Sequence, residues 1–195
     1  LMLTALNETE LSIATISMLA SVSALQKATK LPLNQLATLW GAIDTYGDKS
    51  LYRKLFLNKA AQQIDEAFEA DIFGDYLQDP TEVLIDHQST ILAAFRISEG
   101  DLAAILEVAE VIDGGNPRLL DLAADRLSLP NLSTIYRYVV LARGLKMRTA
   151  DLCQLIGLFA AAPFSRWDIQ QAQFSAIAPA ATGEFYQLAA STKET

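Results

Sequence analysis

The sequence is poor in the residues that most chemistry needs. One cysteine, Cys153, and one histidine, His87, stand in 195 residues. A lone cysteine excludes an internal disulfide, and a lone histidine leaves any metal site or acid–base pair dependent on carboxylates. Glycine (9) and proline (6) are few, so the main interrupters of helix are scarce. No apolar run approaches the roughly 18 residues of a membrane span. Positive charge is short as well: 15 Lys and Arg face 23 Asp and Glu, a formal charge of −8. The basic residues are scattered, with one short run at Arg143, Lys146 and Arg148. Such a surface repels a polyanion, so nucleic acid is not an expected partner.

What remains is a helix-forming composition. Hydrophobic residues make up 51% and charged residues 19%, the balance of a folded chain. Leu and Ala dominate, and both lose little rotamer freedom in a helical backbone. The stretch from Leu11 to Ala24 ends in small residues, as a secretory signal does, but Glu8 and Glu10 precede it and no Lys or Arg occurs before Lys27. It lacks the basic start of a signal peptide. Leu1-Met2 and Thr192-Lys193-Glu194-Thr195 read as cut points in a longer chain.

Apolar residues recur at steps of three and four rather than two, which predicts helices. A long one spans Thr9 to Lys30 on Leu11, Ala14, Thr15, Met18, Leu19, Val22 and Leu25. Pro32 opens the next, where Leu36, Leu39, Trp40 and Ile43 share a face. Asp44 to Leu51 is turn chemistry, followed by a knot of Leu51, Tyr52, Leu55, Phe56 and Leu57. A polar helix is expected over Ala60–Phe68 and a loop over Asp71–Asp79. Pro80-Thr81 starts a helix carrying Leu84, Ile85, Gln88, Ile91, Leu92 and Phe95, and Ser98 caps another from Glu99 to Ile112. Asp113-Gly114-Gly115-Asn116-Pro117 stops it. Short helices are expected at 117–127, 131–143 and 149–160. A last one, before Pro179, carries Trp167, Phe174 and Ile177. The expected fold is all-α: an irregular array of helix–corner–helix units with little or no β-sheet. Residues 1–195 read as one helical fragment, divisible into 1–58, 59–162 and 163–195.

Three segments share a corner. They are Leu31-Pro32-Leu33-Asn34-Gln35-Leu36, Ile97-Ser98-Glu99-Gly100-Asp101-Leu102 and Met147-Arg148-Thr149-Ala150-Asp151-Leu152. Each has an apolar residue, a turn or cap, then Gln or Asp before a leucine. A Ser at the cap accepts from the open amides of the next helix, and an acid in the first turn suits its dipole. The first and third copies also agree outside the corner: Leu19 with Ile135, Leu25 with Leu141, Gly41 with Gly157. Their spacing from the second copy is unequal, so this is a shared device rather than a solenoid period.

Two stretches carry a family resemblance. Tyr46-Gly47-Asp48-Lys49-Ser50-Leu51-Tyr52-Arg53-Lys54-Leu55-Phe56-Leu57-Asn58 resembles a signature of the A component of insecticidal toxin complexes, the Tc toxins. Ile135-Tyr136-Arg137-Tyr138 with Leu141-Ala142-Arg143-Gly144-Leu145 and Asp151-Leu152 is similar to a recurring helical pair of that family. The resemblance implies a segment of the helical outer shell of a very large bacterial toxin, secreted or on the cell surface. Such proteins assemble as homopentamers around a translocation channel, work with B and C components and bind a host-cell receptor. It implies scaffolding rather than catalysis, and no membrane insertion by this segment. A free-standing helical adaptor binding a partner helix is the alternative.

The residues themselves offer little chemistry. His87 has Val83, Leu84, Thr90 and Ile91 at the helical ligand spacings, which reads as a structural histidine. Cys153 stands beside Leu152, Leu155 and Ile156 as a small apolar residue. As a nucleophile it would need His87, the one imidazole, for its base. Gly47-Asp48-Lys49-Ser50 lacks the glycine spacing of a phosphate loop. The acids Asp65, Glu66, Glu69, Asp71, Asp75 and Asp79 read as a solvated face, because Ile72 and Phe73 occupy would-be calcium-ligand positions. A pH-sensitive contact between shell parts is the functional alternative for that cluster. Trp40 and Trp167 read as core. No catalytic, cofactor or metal residues are expected.

Overall fold

The computed structural model of the chain describes residues 2–6, 8–57, 65–159 and 164. The expected helix over Ala60–Phe68 lies largely outside these residues, and so does the last one with Trp167, Phe174 and Ile177. Of the former, Glu66–Phe68 forms a 3-10 turn capped by Asp65.

The chain is mostly helical. After a short α1 (Met2–Ala5), Ser12 opens α2 (Ile13–Thr29) by accepting from the Thr15 amide at 3.1 Å. Then come α3 (Leu33–Leu36), running on as a 3-10 turn through Leu39, and α4 (Leu51–Phe56). A 3-10 turn over Leu84–His87 leads into α5 (Gln88–Phe95), followed by α6 (Glu99–Leu106). Helices α7 (Leu129–Leu145) and α8 (Thr149–Phe159) complete the described fold.

The three sequence corners fold alike, residue for residue. The incoming helices end at Thr29, Phe95 and Leu145. Next stand Lys30, Arg96 and Lys146 in left-handed backbone, φ 58°, 52° and 58°. Then come the apolar Leu31, Ile97 and Met147, and the outgoing helices begin at Leu33, Glu99 and Thr149. At the second and third corners the apolar residue's amide reaches back to a helix carbonyl: Ile97 to Leu92 at 3.1 Å, Met147 to Ala142 at 2.9 Å. That closure satisfies carbonyls the helix end would leave open. A left-handed residue other than glycine costs roughly 1–2 kcal/mol. A cation at a helix C-terminus offsets about 0.3–1 kcal/mol of that. The first and third copies match further: α2 and α7 each have 17 residues and a Ser cap, Ser12 and Ser128.

Helix α7 is the centre. Ten of its residues are buried, on all sides, and α2, the 3-10 turn after α3, α6, α8 and the strand Glu110–Asp113 pack on it. A helix so enclosed must be apolar almost all round, which Leu132, Ile135, Val139, Val140 and Leu141 supply. At its end Gly144 permits close approach: a Cβ there would lie 3.0 Å from Leu31 Cδ1 and 3.1 Å from Thr29 Cγ2. Arg143 donates to the Phe95 carbonyl, and the Ala150 amide donates to Asp101 Oδ1 at 3.2 Å. All three corners therefore gather around the C-terminal end of α7.

Two expectations are corrected. The helix begun at Glu99 stops at Leu106, and residues 110–113 are a strand rather than helix. The helix expected at 117–127 is absent; Asn116–Leu119 is the partner strand, with turns after it. These strands, β1 (Glu110–Asp113) and β2 (Asn116–Leu119), pair antiparallel with Asp113 opposite Asn116. Gly114 and Gly115, φ 56° and 88°, form the two-residue turn between them. Both positions need left-handed backbone, and its twist matches that of the strands. The fold is thus helical with one small sheet, not strictly all-α.

Two helical glycines give opposite outcomes. Gly144→Val should destabilise the protein by about 2 kcal/mol, because Thr29 is held by its own bond to Leu25 and cannot yield. Gly157→Ala, whose new methyl group meets only Val108 Cγ1 at an ordinary 3.8 Å, should stabilise it by about 0.5–1 kcal/mol. Urea unfolding of both variants checks the pair.

Candidate functional site

Polar side chains on an enclosed helix need partners, and those of α7 find them in the ends of neighbouring elements. Ser133 Oγ accepts from the Ile43 amide at 3.0 Å and donates to Leu129 O at 2.6 Å. Arg137 donates to the carbonyls of Thr38 and Gly41, at 3.1 and 3.3 Å, where the 3-10 turn after α3 ends. Tyr138 donates its hydroxyl proton to Val108 O at 2.9 Å, ahead of β1. Arg143 serves the end of α5 in the same way. The Tyr136 hydroxyl, buried, has no partner among the described residues, and burial pushes its pKa up.

The Leu51–Leu57 knot is α4. Ser50 caps it, accepting from the Arg53 amide at 3.4 Å. That places Gly47-Asp48-Lys49-Ser50 in a turn ahead of a six-residue helix. Tyr52 is fully buried and donates to Phe68 O at 3.1 Å. An aromatic series runs from Tyr76 through Tyr52, Phe56 and Phe95 to Tyr136, with ring centroids 4.5 to 5.5 Å apart. Trp40 is half-buried against the core.

His87 is where the structure departs furthest from the local reading. The Leu84–His87 turn has three residues per turn, so Leu84 and His87 share the buried face and Ile85 is turned out, 42% exposed. The imidazole stands between two carboxylates: Nδ1 lies 2.7 Å from Asp65 Oδ2, and Nε2 lies 2.8 Å from Glu82 Oε2. Asp65 also accepts from the Thr90 hydroxyl at 3.0 Å and the Ala67 amide at 3.2 Å. Burial alone would lower the imidazole pKa; the bonds to Glu82 and Asp65 and their charges outweigh it, and the net shift is upward. For Asp65, burial raises the pKa, but the bonds from His87, Ala67 and Thr90 prevail and hold it below the usual carboxylate range. The cluster clamps the Asp65–Phe68 segment to the start of α5. Sequence spacing could reveal only Glu82, five residues away; Asp65 arrives through the fold.

Cys153 is 2% exposed, and its thiol is pushed up to about 12 by burial, with Asp101 and Glu107 adding to the effect. A thiol so disfavoured as thiolate is a poor nucleophile. Both nitrogens of His87 are engaged elsewhere, so the structure does not offer it as a base for Cys153. Asp71 is a turn residue: its Oδ1 accepts from the Phe73 and Asp75 amides at 2.8 and 2.9 Å. A cleft of about 490 Å³ opens beside Leu77–Asp79 and the start of α7. Its Arg118 is already paired with Asp125, at 2.6 and 2.9 Å, and with Asp113 at 2.9 Å. Among the described residues no group of three or more His, Cys, Asp or Glu is placed to hold a metal ion, and no helix is long and apolar enough to cross a membrane. Trp167 lies outside the described residues. No family model matches the chain, and no curated protein matches it either.

The shifts at His87 and Asp65 set a pH window. A histidine with a raised folded pKa contributes its full stability below the ordinary value of 6.5 and loses it as pH rises through the folded pKa. Asp65, with its pKa depressed, contributes above its ordinary value and loses that as pH falls through the folded pKa. The unfolding free energy should therefore decline as pH rises beyond 6.5. His87→Gln should flatten that decline and cost about 2 kcal/mol near neutrality. Urea titrations across pH measure both effects.

Proposed function

We propose that this chain is a structural, non-catalytic segment of a larger assembly: part of the helical outer shell of a Tc-type toxin A component. The observation that carries the structural half is the use made of its polar side chains. Ser133, Arg137, Tyr138 and Arg143 all bond backbone groups of neighbouring elements. His87 joins two segments rather than facing a cavity. A chain that commits these hydrogen-bonding groups to joining its own segments is built to hold shape.

The toxin half rests on the two motif stretches. Tyr52 and Phe56 of the first pack into the aromatic series that reaches Tyr136, while Arg137, Arg143 and Gly144 of the second tie α7 to Thr38 and Gly41, to Phe95 and to Thr29 and Leu31. A family that keeps such residues together would be keeping an architecture. On this reading the partners are neighbouring domains and protomers of a homopentamer, with the B and C components and a host receptor engaging the parent protein. Secretion or surface display follows from the same reading. The helical-adaptor alternative has the outer face of α2, with Ile13 and Ile16 exposed at 86% and 57% and Lys27 its one charge, in its favour.

Electron microscopy of the full-length parent protein tests the proposal. Five-fold, bell-shaped particles are the expected result. Small particles without that symmetry would refute the toxin reading and favour the adaptor.

A further inference from the structure

The turn Asp71–Asp75 projects two large apolar side chains into solvent: Ile72 is 92% exposed and Phe73 83%. The turn is rigidly built. Asp71 N donates to Asp75 O at 2.8 Å, Gly74 N to Asp71 O at 3.0 Å, and the Asp71 carboxylate holds two further amides. Ala70 and Tyr76 bridge its base, and Tyr76 lies 4.5 Å, ring to ring, from the buried Tyr52. A preformed tip loses little ordering entropy on binding. Its charge is of one sign: between Lys59 and Arg96 the sequence has no Lys or Arg, and Glu69, Asp71, Asp75 and Asp79 flank the tip. At its base Arg53 is bonded to the Tyr76 hydroxyl at 3.3 Å.

The opposite character occurs where the three corners meet. Lys30, Arg96 and Lys146 are exposed there and make no ion pair among the described residues. Beside them Leu33 is 41% exposed, and Ile97 and Met147 are partly buried. On a chain of net charge −8, these three cations border an apolar surface, with Glu99 and Asp101 and the Arg148–Asp151 pair at the start of the outgoing helices of the second and third corners. We propose that the Ile72–Phe73 tip docks on the three-corner surface of a second copy of this chain. The charges are complementary between these two surfaces and repulsive between two tips, which selects the head-to-tail arrangement. Because the two surfaces differ, the contact is heterologous and repeats from copy to copy. With two apolar anchors and three cations it belongs to the weak class, below about 1,200 Å² of buried surface. The contact depends only on the surface of this chain and stands or falls separately from the toxin reading.

Sedimentation of the whole chain up to about 1 mM, at low and high salt, tests it. Mass should rise with concentration and fall with salt. Ile72→Ser with Phe73→Ser should weaken association about 100-fold. Lys30→Asn, Arg96→Asn and Lys146→Asn together should weaken it about 10-fold, asparagine being chosen because it tolerates left-handed backbone. Each variant should stay fully folded at the sedimentation temperature, checked by its melting curve, which keeps folding out of the comparison. Mixed together, the two variants should form pairs that stop at two chains, since only one intact tip faces one intact socket. A chain that stays monomeric at low salt would overturn the proposal. So would association indifferent to either set of substitutions, or variants that fail to pair when mixed.

Discussion

A helix enclosed on every side must either be wholly apolar or find a partner for each polar atom it carries into the core. Helix α7 takes the second course for all its buried polar side chains but Tyr136, whose hydroxyl has no partner among the described residues. Ser133 and Arg137, one turn apart, bond the backbone between Thr38 and Ile43, while Tyr138 and Arg143 reach Val108 and Phe95 on other sides. Each such bond fixes the position of a neighbour relative to α7, and Gly144 fixes another by having no side chain. The close approach at Gly144 admits the end of α2, and α6 and α8 also pack on α7. Removing one arginine would leave two costs, an unfilled place and a buried carbonyl without its donor.

The corners show how one local solution is used three times. Lys30, Arg96 and Lys146 turn the chain through left-handed backbone, and their charge faces the negative end of the helix just completed. Leu31 and Ile97 then pack into or against the core, Met147 is partly buried, and the next helix departs. Since all three corners converge on one end of α7, their cations converge too. A structural requirement of helix termination thereby brings three cations to one end of α7 on an acidic chain.

The parts legible in the sequence are those decided within a few residues. Ser98 and Asp101 form a reciprocal cap within one turn, Pro32 sits at a helix start, and the corner register needs only short-range pattern. The basic residue ahead of each corner is harder to read, because left-handed positions are usually sought at glycine. The hairpin escapes for a related reason. Gly114-Gly115 signals a helix stop as strongly as a two-residue turn, and Val111-Ile112 continues an apolar helical pattern although the helix itself ends at Leu106. Paired strands on both sides of the glycines decide the matter, and pairing is not a local property. His87 needs Asp65, 22 residues away and brought to it by the burial of Phe68. No spacing rule reaches that far.

The central claim is that α7 organises the fold, and native-state hydrogen exchange tests it most directly. Amides of Ile135 to Leu141 should exchange only when the whole protein unfolds, with an opening free energy equal to that measured by denaturant. The contradictory result would be exchange of these amides through a smaller opening while α2, α6 and α8 stay protected. Those helices would then hold together without α7 at their centre.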